Sequence, residues 1–396
     1  MKKLAALGCA ALILGVTAAA LAVTPASVAP TGTGITLIPS SDWSAVYPDV
    51  YETYMATSEN SEFVDYVAEY PYIATLYEGI AFNTYYSSAR GHYYTVEDVK
   101  ETGRPHKLAN CFTCKTADFT VMTLNEGDAA YSMAFEDAMA SVNESVGCFS
   151  CHANDPAQGV TVTHTYLADA MGEDFASVDA KNLACAQCHV EYYFAPETKA
   201  TSLPYKGLAS MTPDEMFAFY EQMDFADYTN PRTGTKLIKV QHPEFETYMG
   251  AGSVHAGTFT CADCHMPTVT REDGTSFRSH QFVSPLESEP ISQNCATCHN
   301  DLAGFVHGIQ EKMEARTNET GRKLETLTNR LAEAVASGNY TEQELDAIRA
   351  LNRKGQFYWD FVFVENSEGA HNSRLDTSCL DKADALADEA LALFKL

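Results

Sequence analysis

The sequence has little positive charge and almost no tryptophan. Its 396 residues include 26 Lys and Arg against 53 Asp and Glu, a formal net charge of −27, and only 2 Trp. Nucleic-acid binding and docking on anionic lipid both depend on Lys and Arg, so this balance argues against either. The middle of the chain shows little of the alternation typical of strands and is rich in Gly, Pro, Thr and Tyr. We therefore expect loops and short helices there.

The N-terminus has the pattern of an export signal. Lys2 and Lys3 precede an apolar run from Leu4 to Val23, and Ala20-Leu21-Ala22 offers a cleavage site. We expect residues 1–22 to be a signal peptide and the protein to be periplasmic or otherwise extracytoplasmic. The run is also about long enough to span a bilayer, so an uncleaved anchor is the alternative.

The cysteines do not have the spacing of an ordinary disulfide framework. Ten of the twelve form five Cys-x-x-Cys pairs, and four pairs are followed at once by histidine. Cys-x-x-Cys-His attaches c-type haem, each thiol bonding a vinyl group and the histidine becoming an axial ligand. Zinc ribbons, redox pairs and disulfides do not require that histidine. The pairs are Cys111/Cys114, Cys148/Cys151, Cys185/Cys188, Cys261/Cys264 and Cys295/Cys298, and the histidines are His152, His189, His265 and His299.

The first pair is followed by Lys115 instead of histidine. A protonated ammonium has no lone pair, so Lys115 binds iron only if burial and the metal lower its pKa. A degenerate motif with a distant histidine ligand and a solvated Lys115 is the alternative. Eight further histidines lie outside the motifs, enough to give the other haems a second axial ligand: His92, His106, His164, His242, His255, His280, His307 and His371. Haems saturated in this way relay electrons but bind no substrate.

This set of motifs resembles the pentahaem, ammonia-forming cytochrome c nitrite reductases (the NrfA family). The resemblance extends over roughly residues 45–395, with the lysine motif first. Three further stretches are similar to family segments: Arg90-Gly91-His92 followed by Asp98-Val99-Lys100-Glu101-Thr102-Gly103-Arg104, then Cys188-His189-Val190-Glu191-Tyr192-Tyr193, and Lys239-Val240-Gln241-His242-Pro243-Glu244.

The resemblance implies five c-type haems, one Ca²⁺, and six-electron reduction of nitrite to ammonium in respiratory (dissimilatory) ammonification. It places Arg104, Tyr192 and His242 around an open iron held by Lys115. It implies distal ligands for the four saturated haems: His92 for the haem of Cys185/Cys188, His280 for that of Cys148/Cys151, His371 for that of Cys261/Cys264, and His255 for that of Cys295/Cys298. His106, His164 and His307 stay unassigned.

The residue types suit this chemistry. Arg104 can donate to a nitrite oxygen as charge builds there, and His242 can supply protons near neutral pH. Tyr192 has a hydroxyl of much higher pKa. In the resemblance, calcium takes the Glu191 carboxylate, the Gln241 amide oxygen and the carbonyls of Tyr192 and Lys239, which are the oxygen ligands that calcium prefers. A structural Glu/Gln pair without an ion is the alternative.

The fold class we predict is mainly α, with a haem-packed core of loops and short helices at 23–300 and a long-helix region at 301–396. The sequence predicts helices over residues 303–337, ended by Gly338, from the capping box Thr341-Glu342-Gln343-Glu344 to about Phe363, and from about Thr377 to Phe394. In the family such helices also form the dimer interface, so we expect a homodimer.

Two other functions fit part of the sequence. One is a purely electron-transferring multihaem cytochrome, although the lysine motif argues against it. The other is a multihaem enzyme acting on hydroxylamine or a sulfur oxyanion. The expected partners are nitrite and a redox cytochrome, either soluble or a membrane quinol dehydrogenase.

Overall fold

The computed structural model describes residues 23–105 and 107–395. The predicted signal at 1–22 and His106 lie outside the described residues. None of the helices in the described ranges has the length and hydropathy needed to cross a bilayer.

The prediction of a mainly α protein is confirmed. The helices before the C-terminal region are short: α1 Pro48–Met55, α2 Tyr66–Glu69, α3 Ile73–Leu76, α4 Thr95–Glu101, α5 Ala117–Glu126, α6 Phe135–Met139, α7 Cys148–His152, α8 Thr165–Met171, α9 Ala180–Ala186, α10 Pro213–Gln222, α11 Glu244–Met249, α12 Cys261–His265 and α13 Glu289–Cys295. The long helices are α14 Leu302–Ser337, α15 Glu342–Phe363 and α16 Ser373–Ala392.

Short 3-10 helices link several of these elements: Ser40–Ala45, Ala56–Glu59, Ala81–Asn83, His92–Tyr94, Ala109–Phe112, Gly127–Ser132, Pro156–Gln158, Gly172–Ser177, Leu208–Ser210 and Pro285–Glu287. The strands are only two or three residues long: β1 Ser27–Val28, β2 Thr161–Val162, β3 Tyr193–Phe194, β4 Thr201–Ser202, β5 Tyr228–Thr229, β6 Lys236–Leu237, β7 Thr268–Thr270 and β8 Ser276–Arg278. They pair two by two, β1 with β2 in parallel and the others as antiparallel neighbours.

The ends of the long helices follow local signals. α14 ends at Gly338, whose φ of +66° is left-handed and suits glycine. The Thr341 side chain accepts from the Glu344 amide, so the predicted capping box opens α15. α16 begins at Ser373 rather than about Thr377 because the Asn372 side chain caps it, accepting from the Leu375 amide at 3.3 Å.

The largest apolar core joins the long helices to the N-terminal part of the chain. Leu324, Leu327 and Leu331 of α14 are fully buried in it. Trp359 stacks on Phe363 with ring centroids 4.7 Å apart. A Cβ on Gly321 of α14 would lie 2.5 Å from the Tyr72 ring, so this close approach requires glycine. The core contains residues from Tyr72 to Phe394 and therefore belongs to both regions.

Candidate functional site

The Cys-x-x-Cys-His motifs lie on helices or at their ends. Complete motifs form α7 and α12, whereas α9 and α13 end within theirs. In the latter two, the amides of His189 and His299 donate to the carbonyls of Cys185 and Cys295 at 2.9 Å. Each histidine thus lies one helical turn beyond its first cysteine, on the same side. All cysteines of the described residues are free, so no disulfide competes for these thiols there.

Cys298 differs from the other cysteines that the sequence predicts to attach haem. Its side chain is exposed, whereas the other nine motif cysteines are partly buried. The reason is local: α13 ends at Cys295, and the turn that follows lies at the surface, where Ala296 and Thr297 are exposed as well. The surrounding polypeptide therefore does not enclose Cys298. Haem attachment at Cys298 therefore stays a prediction, at a surface position.

The lysine motif has a different backbone. It begins in the 3-10 helix Ala109–Phe112, and the Lys115 amide donates to the Phe112 carbonyl at 2.9 Å. The Thr95 hydroxyl donates to the Lys115 carbonyl at 2.6 Å and fixes the turn. Within the described residues the Lys115 ammonium has no recorded hydrogen bond or ion pair.

The histidines of the four motifs each face a histidine from elsewhere in the chain. The ring centroids are 6.4 Å apart for His92 and His189, 6.3 Å for His152 and His280, 6.1 Å for His265 and His371, and 6.2 Å for His255 and His299. With metal–nitrogen bonds of about 2.0–2.1 Å, two imidazoles on one metal have centroids roughly 6.3 Å apart. The spacing of every pair therefore fits one metal ion between its rings.

Burial keeps two of these rings in the form that binds metal. It lowers the pKa of His92 and of His265 to about 4. Both imidazoles are therefore neutral near pH 7 and keep a lone pair for coordination.

His242 also lies 6.4 Å from His189 by ring centroids, so spacing alone does not select the partner of His189. His189 and His242 both direct Nδ1 towards Glu244 Oε1, at 3.8 Å each. A carboxylate thus lies between these two nitrogens. Burial acts to raise the pKa of Glu244, but the two histidines outweigh it and hold that pKa well below its usual range.

The motifs meet through their cysteines. The Sγ atoms of Cys114 and Cys188 and a ring nitrogen of His164 lie within 4.8 Å of one another. His164 is buried and its Nε2 is 2.9 Å from the Thr113 carbonyl. Other motifs are neighbours too. Burial and a thiol of the adjacent motif raise the pKa of one cysteine in each of three pairs: Cys185 acts on Cys151, Cys261 on Cys185, and Cys295 on Cys264. The third motif is therefore central, adjacent to the first, second and fourth.

Arg104 and Tyr192 lie beside the lysine motif. The Arg104 guanidinium stacks on Phe82 at 3.8 Å from the ring centroid, and its Nε is buried without a partner in the described chain. Burial lowers its pKa, against the opposing influence of Tyr192 and Cys111. Burial also raises the pKa of Tyr192, with Cys114 and Cys111 acting in the same direction. These groups are close enough to share one pocket, and no direct contact between His242 and Arg104 or Tyr192 is recorded among the described residues.

A cluster of buried carboxylates lies behind this pocket. The fully buried Glu191 accepts from the Gln241 amide at 2.6 Å and from the Tyr220 hydroxyl at 2.7 Å. Glu246 accepts from the Glu191 amide at 3.0 Å, and its other oxygen is buried without a partner in the described chain. Burial raises the pKa of Glu191 to about 8 and that of Asp227 to about 7.

The cluster has too little positive charge. Its ammonium, that of Lys239, is 3.0 Å from Asp360 Oδ1 and already paired there. Such a surplus of buried carboxylate is unfavourable without a cation, so the donor set fits a hard divalent ion. The Gln241 Nε2 donates to the Lys239 carbonyl at 2.8 Å. Rotating the Gln241 side-chain amide by 180° would direct both the Gln241 Oε1 and the Lys239 carbonyl oxygen towards an ion.

Sequence reasoning missed several residues of this site. Glu246 and Asp227 reach Glu191 only through tertiary folding, and His164 stands outside any motif. Glu244 has no role in the sequence prediction, although its position two residues after His242 is a signal that points to it.

Comparisons with known proteins agree with this architecture. The family model of cytochrome c552 matches residues 40–396. A solved cytochrome c nitrite reductase from Desulfovibrio desulfuricans, the catalytic subunit NrfA with two calcium sites, is similar with a TM-score of 0.79. It is 28% identical over 92% of this chain and 87% of that chain.

Two other solved cytochromes are more distant. The outer cell wall cytochrome OcwA has a TM-score of 0.41 and 21% identity, over 75% of this chain and 48% of that chain. The undecahaem S-layer cytochrome of Carboxydothermus ferrireducens has a TM-score of 0.38 and 16% identity, over 77% of this chain and 41% of that chain.

Proposed function

This chain belongs to the cytochrome c552 family, and on that premise we propose that it is an ammonia-forming cytochrome c nitrite reductase. It is an oxidoreductase that converts nitrite to ammonium with six electrons and eight protons, in respiratory nitrite ammonification. The similarity to the nitrite reductase of Desulfovibrio desulfuricans, over most of both chains, supports this activity.

The five Cys-x-x-Cys pairs hold five c-type haems, the fifth of them at the protein surface beside Cys298. When bound, the haems supply one-electron redox centres, and the one on Cys111 and Cys114 supplies the open metal face for nitrite. The four facing histidine pairs support two axial imidazoles for each of the other haems. The contacts between motifs support an electron relay that converges on the third motif and passes to the first.

Lys115 is the proposed axial ligand of the catalytic haem. Unlike the motif histidines, it has no facing histidine recorded among the described residues, so a haem held by this motif would be able to take up nitrite.

Three side chains are proposed to act on nitrite. Arg104 donates hydrogen bonds to a nitrite oxygen, and because it is buried these bonds are strong. His242 delivers protons from Nε2, while Glu244, 3.8 Å from Nδ1, orients the ring. Tyr192 holds its proton tightly, so it suits late intermediates rather than general proton supply. Arg104 also gives the pocket a local positive charge that collects an anion within an acidic protein.

We also propose one calcium ion at the carboxylate cluster, bound by Glu191, Gln241 and the carbonyls of Tyr192 and Lys239. The buried, cation-poor carboxylates support it, as do the calcium sites of the similar nitrite reductase. Because Glu191 directly precedes Tyr192, and Gln241 directly precedes His242, the ion would hold both catalytic segments in place.

We further propose how the chain is divided, where it is exported and what it contacts. Residues 23–300 form the proposed catalytic core, 301–396 the proposed dimerisation region, and 1–22 the export signal to the periplasm or an extracytoplasmic compartment. Phe259, Val254 and Phe305 are exposed around the fifth motif, as is Cys298 within it, which supports contact with a second copy of the chain. The proposed electron donor is a cytochrome, such as a membrane quinol dehydrogenase.

The observation that carries this function is the contrast between four facing histidine pairs and a lysine motif that faces no histidine within residues 23–105 and 107–395. Purified holoprotein, reduced by a dye and given nitrite, should release ammonium and carry five haems per chain by mass. Full haem loading without ammonium release would leave only an electron carrier, and turnover of hydroxylamine or sulfite alone would indicate a different multihaem enzyme.

A further inference from the structure

The proposed axial histidines differ in what their second ring nitrogen contacts. His152, His265 and His280 direct Nδ1 to backbone carbonyls, those of Gly159, Val283 and Arg278, at 2.7–3.0 Å. His371 instead directs Nδ1 to a carboxylate, Glu365 Oε1, at 2.5 Å, a hydrogen-bond distance, whereas the carboxylate that faces the His189 Nδ1, that of Glu244, is 3.8 Å away. A neutral carbonyl and an anionic carboxylate have different effects on a metal-bound imidazole, because the anion draws the Nδ1 proton more strongly.

The Glu365 carboxylate is held rigidly in place. Its Oε2 accepts from the Ser367 hydroxyl at 2.6 Å and from the Ser367 amide at 3.2 Å. The Ser367 Oγ in turn accepts from the His371 amide at 2.9 Å. Glu365 is 2% exposed, so water does not weaken its charge. These bonds lie in the turn between α15 and α16, which Gly369 completes with a φ of +90°.

The other side of the His371 ring faces His265, whose motif holds the fourth haem. From this arrangement we propose that Glu365 is a positioning residue that lowers the reduction potential of the haem on Cys261 and Cys264. The inference rests on the proposed function, in which His371 is an axial ligand. The bond gives the imidazole anionic character, which stabilises ferric over ferrous iron. Reduction adds one electron to that iron, and the Nδ1 proton stays in the hydrogen bond.

The position of the fourth motif indicates which way a lowered potential would drive electrons. Cys261 is a neighbour of Cys185 in the third motif, which in turn adjoins the lysine motif. A low potential at the fourth haem makes that haem a strong donor. Glu365 therefore favours the passage of electrons inward, away from the exposed fifth motif.

The test is Glu365→Gln in the holoprotein, followed by spectropotentiometric titration with electron paramagnetic resonance of the low-spin signals. One haem should become easier to reduce, its ferrous-to-ferric ratio at a fixed potential rising at least tenfold, or about 59 mV for one electron. The other potentials should stay unchanged. Glu365→Asp, which keeps the charge, should recover part of the shift.

The matched control is Glu368→Gln, because Glu368 is an exposed acid of the same turn with no recorded hydrogen bond to a histidine in the described chain. An equal shift in Glu368→Gln would show a general charge effect and overturn the inference, as would no shift in Glu365→Gln. If Glu365→Gln does not accumulate, Ser367→Ala is titrated instead. The inference then requires that the same haem become easier to reduce, by a smaller shift in potential than that expected for Glu365→Gln. Five haems and ammonium release in the parent protein, measured alongside, keep a failure here distinct from a failure of the proposed function.

Discussion

Calcium binding should depend steeply on pH, because the proposed site holds protons when the ion is absent. Burial raises the pKa of Glu191 to about 8 and that of neighbouring Asp227 to about 7. Above pH 8 both are ionised and calcium displaces no proton. Between pH 8 and 7 it must displace the Glu191 proton, so the association constant should fall about tenfold. Below pH 7 calcium must also displace the Asp227 proton. The association constant then falls more steeply, to a limit of about 100-fold per pH unit.

As the pH rises, calcium should bind more tightly, whereas the stability of the calcium-free protein should fall. The folded-state pKa of Glu191, about 8, lies above its usual value of 4.5. The resulting stabilisation is complete below pH 4.5 and is lost as the pH rises through 8. Chelated holoprotein should therefore melt at a lower temperature at pH 8 than at pH 6, and added calcium should restore the melting temperature most strongly at pH 8.

Isothermal titration of chelated holoprotein with calcium at pH 6, 7, 8 and 9 measures this dependence directly. Asp224→Asn is a suitable control, since Asp224 is an exposed carboxylate paired with Lys236 and should leave the pH profile unchanged. Glu191→Gln should abolish binding. An association constant that varies less than twofold between pH 6 and 8 would refute the reasoning from buried, protonated carboxylates.

Three further results are expected. His242→Asn should lower nitrite turnover by about 10²–10⁴-fold, the contribution of a general acid, while haem content by mass stays at the parent level; an equal loss of both would make His242 structural. Lys115→His should keep haem if the attachment apparatus tolerates it but lose most nitrite turnover in the dye assay, and unchanged turnover would contradict a special role for the lysine. Lys239→Met should destabilise the protein by about 3–5 kcal/mol in chemical unfolding, because Asp360 would remain buried without its partner ammonium; a change below about 1 kcal/mol would show that Asp360 is neutral in the fold.

Local signals in the sequence predict local structure well. Gly338 ends α14 and the Thr341 box opens α15 because both signals act through backbone bonds a few residues away. The sequence places the start of α16 too late, since the cap at Asn372 lies before the apolar pattern begins. Cys379, the cysteine of the C-terminal region, is buried in α16.

Such local signals do not predict contacts between segments that are distant in the sequence. Asp227 and Glu246 join Glu191 only because β5, β6 and α11 fold onto the segment after the third motif, and no spacing in the sequence encodes that. The sequence also does not predict which thiols are exposed, since the exposed Cys298 has the same motif as the partly buried Cys264. The facing histidines come from family resemblance, because eight spare histidines can be distributed over four haems in many ways. The ring distances fit the distribution that the resemblance implies.

The shared core has a consequence for any attempt to divide the protein. Tyr72 fits against Gly321, and Trp359 lies among the rings of Tyr72 and Tyr77, so the largest apolar core is shared by both regions. A fragment ending near residue 300 would leave a large aromatic surface in water and would aggregate. The C-terminal helices thus complete the largest core of the protein, and removing them would disrupt the packing of the preceding region as well.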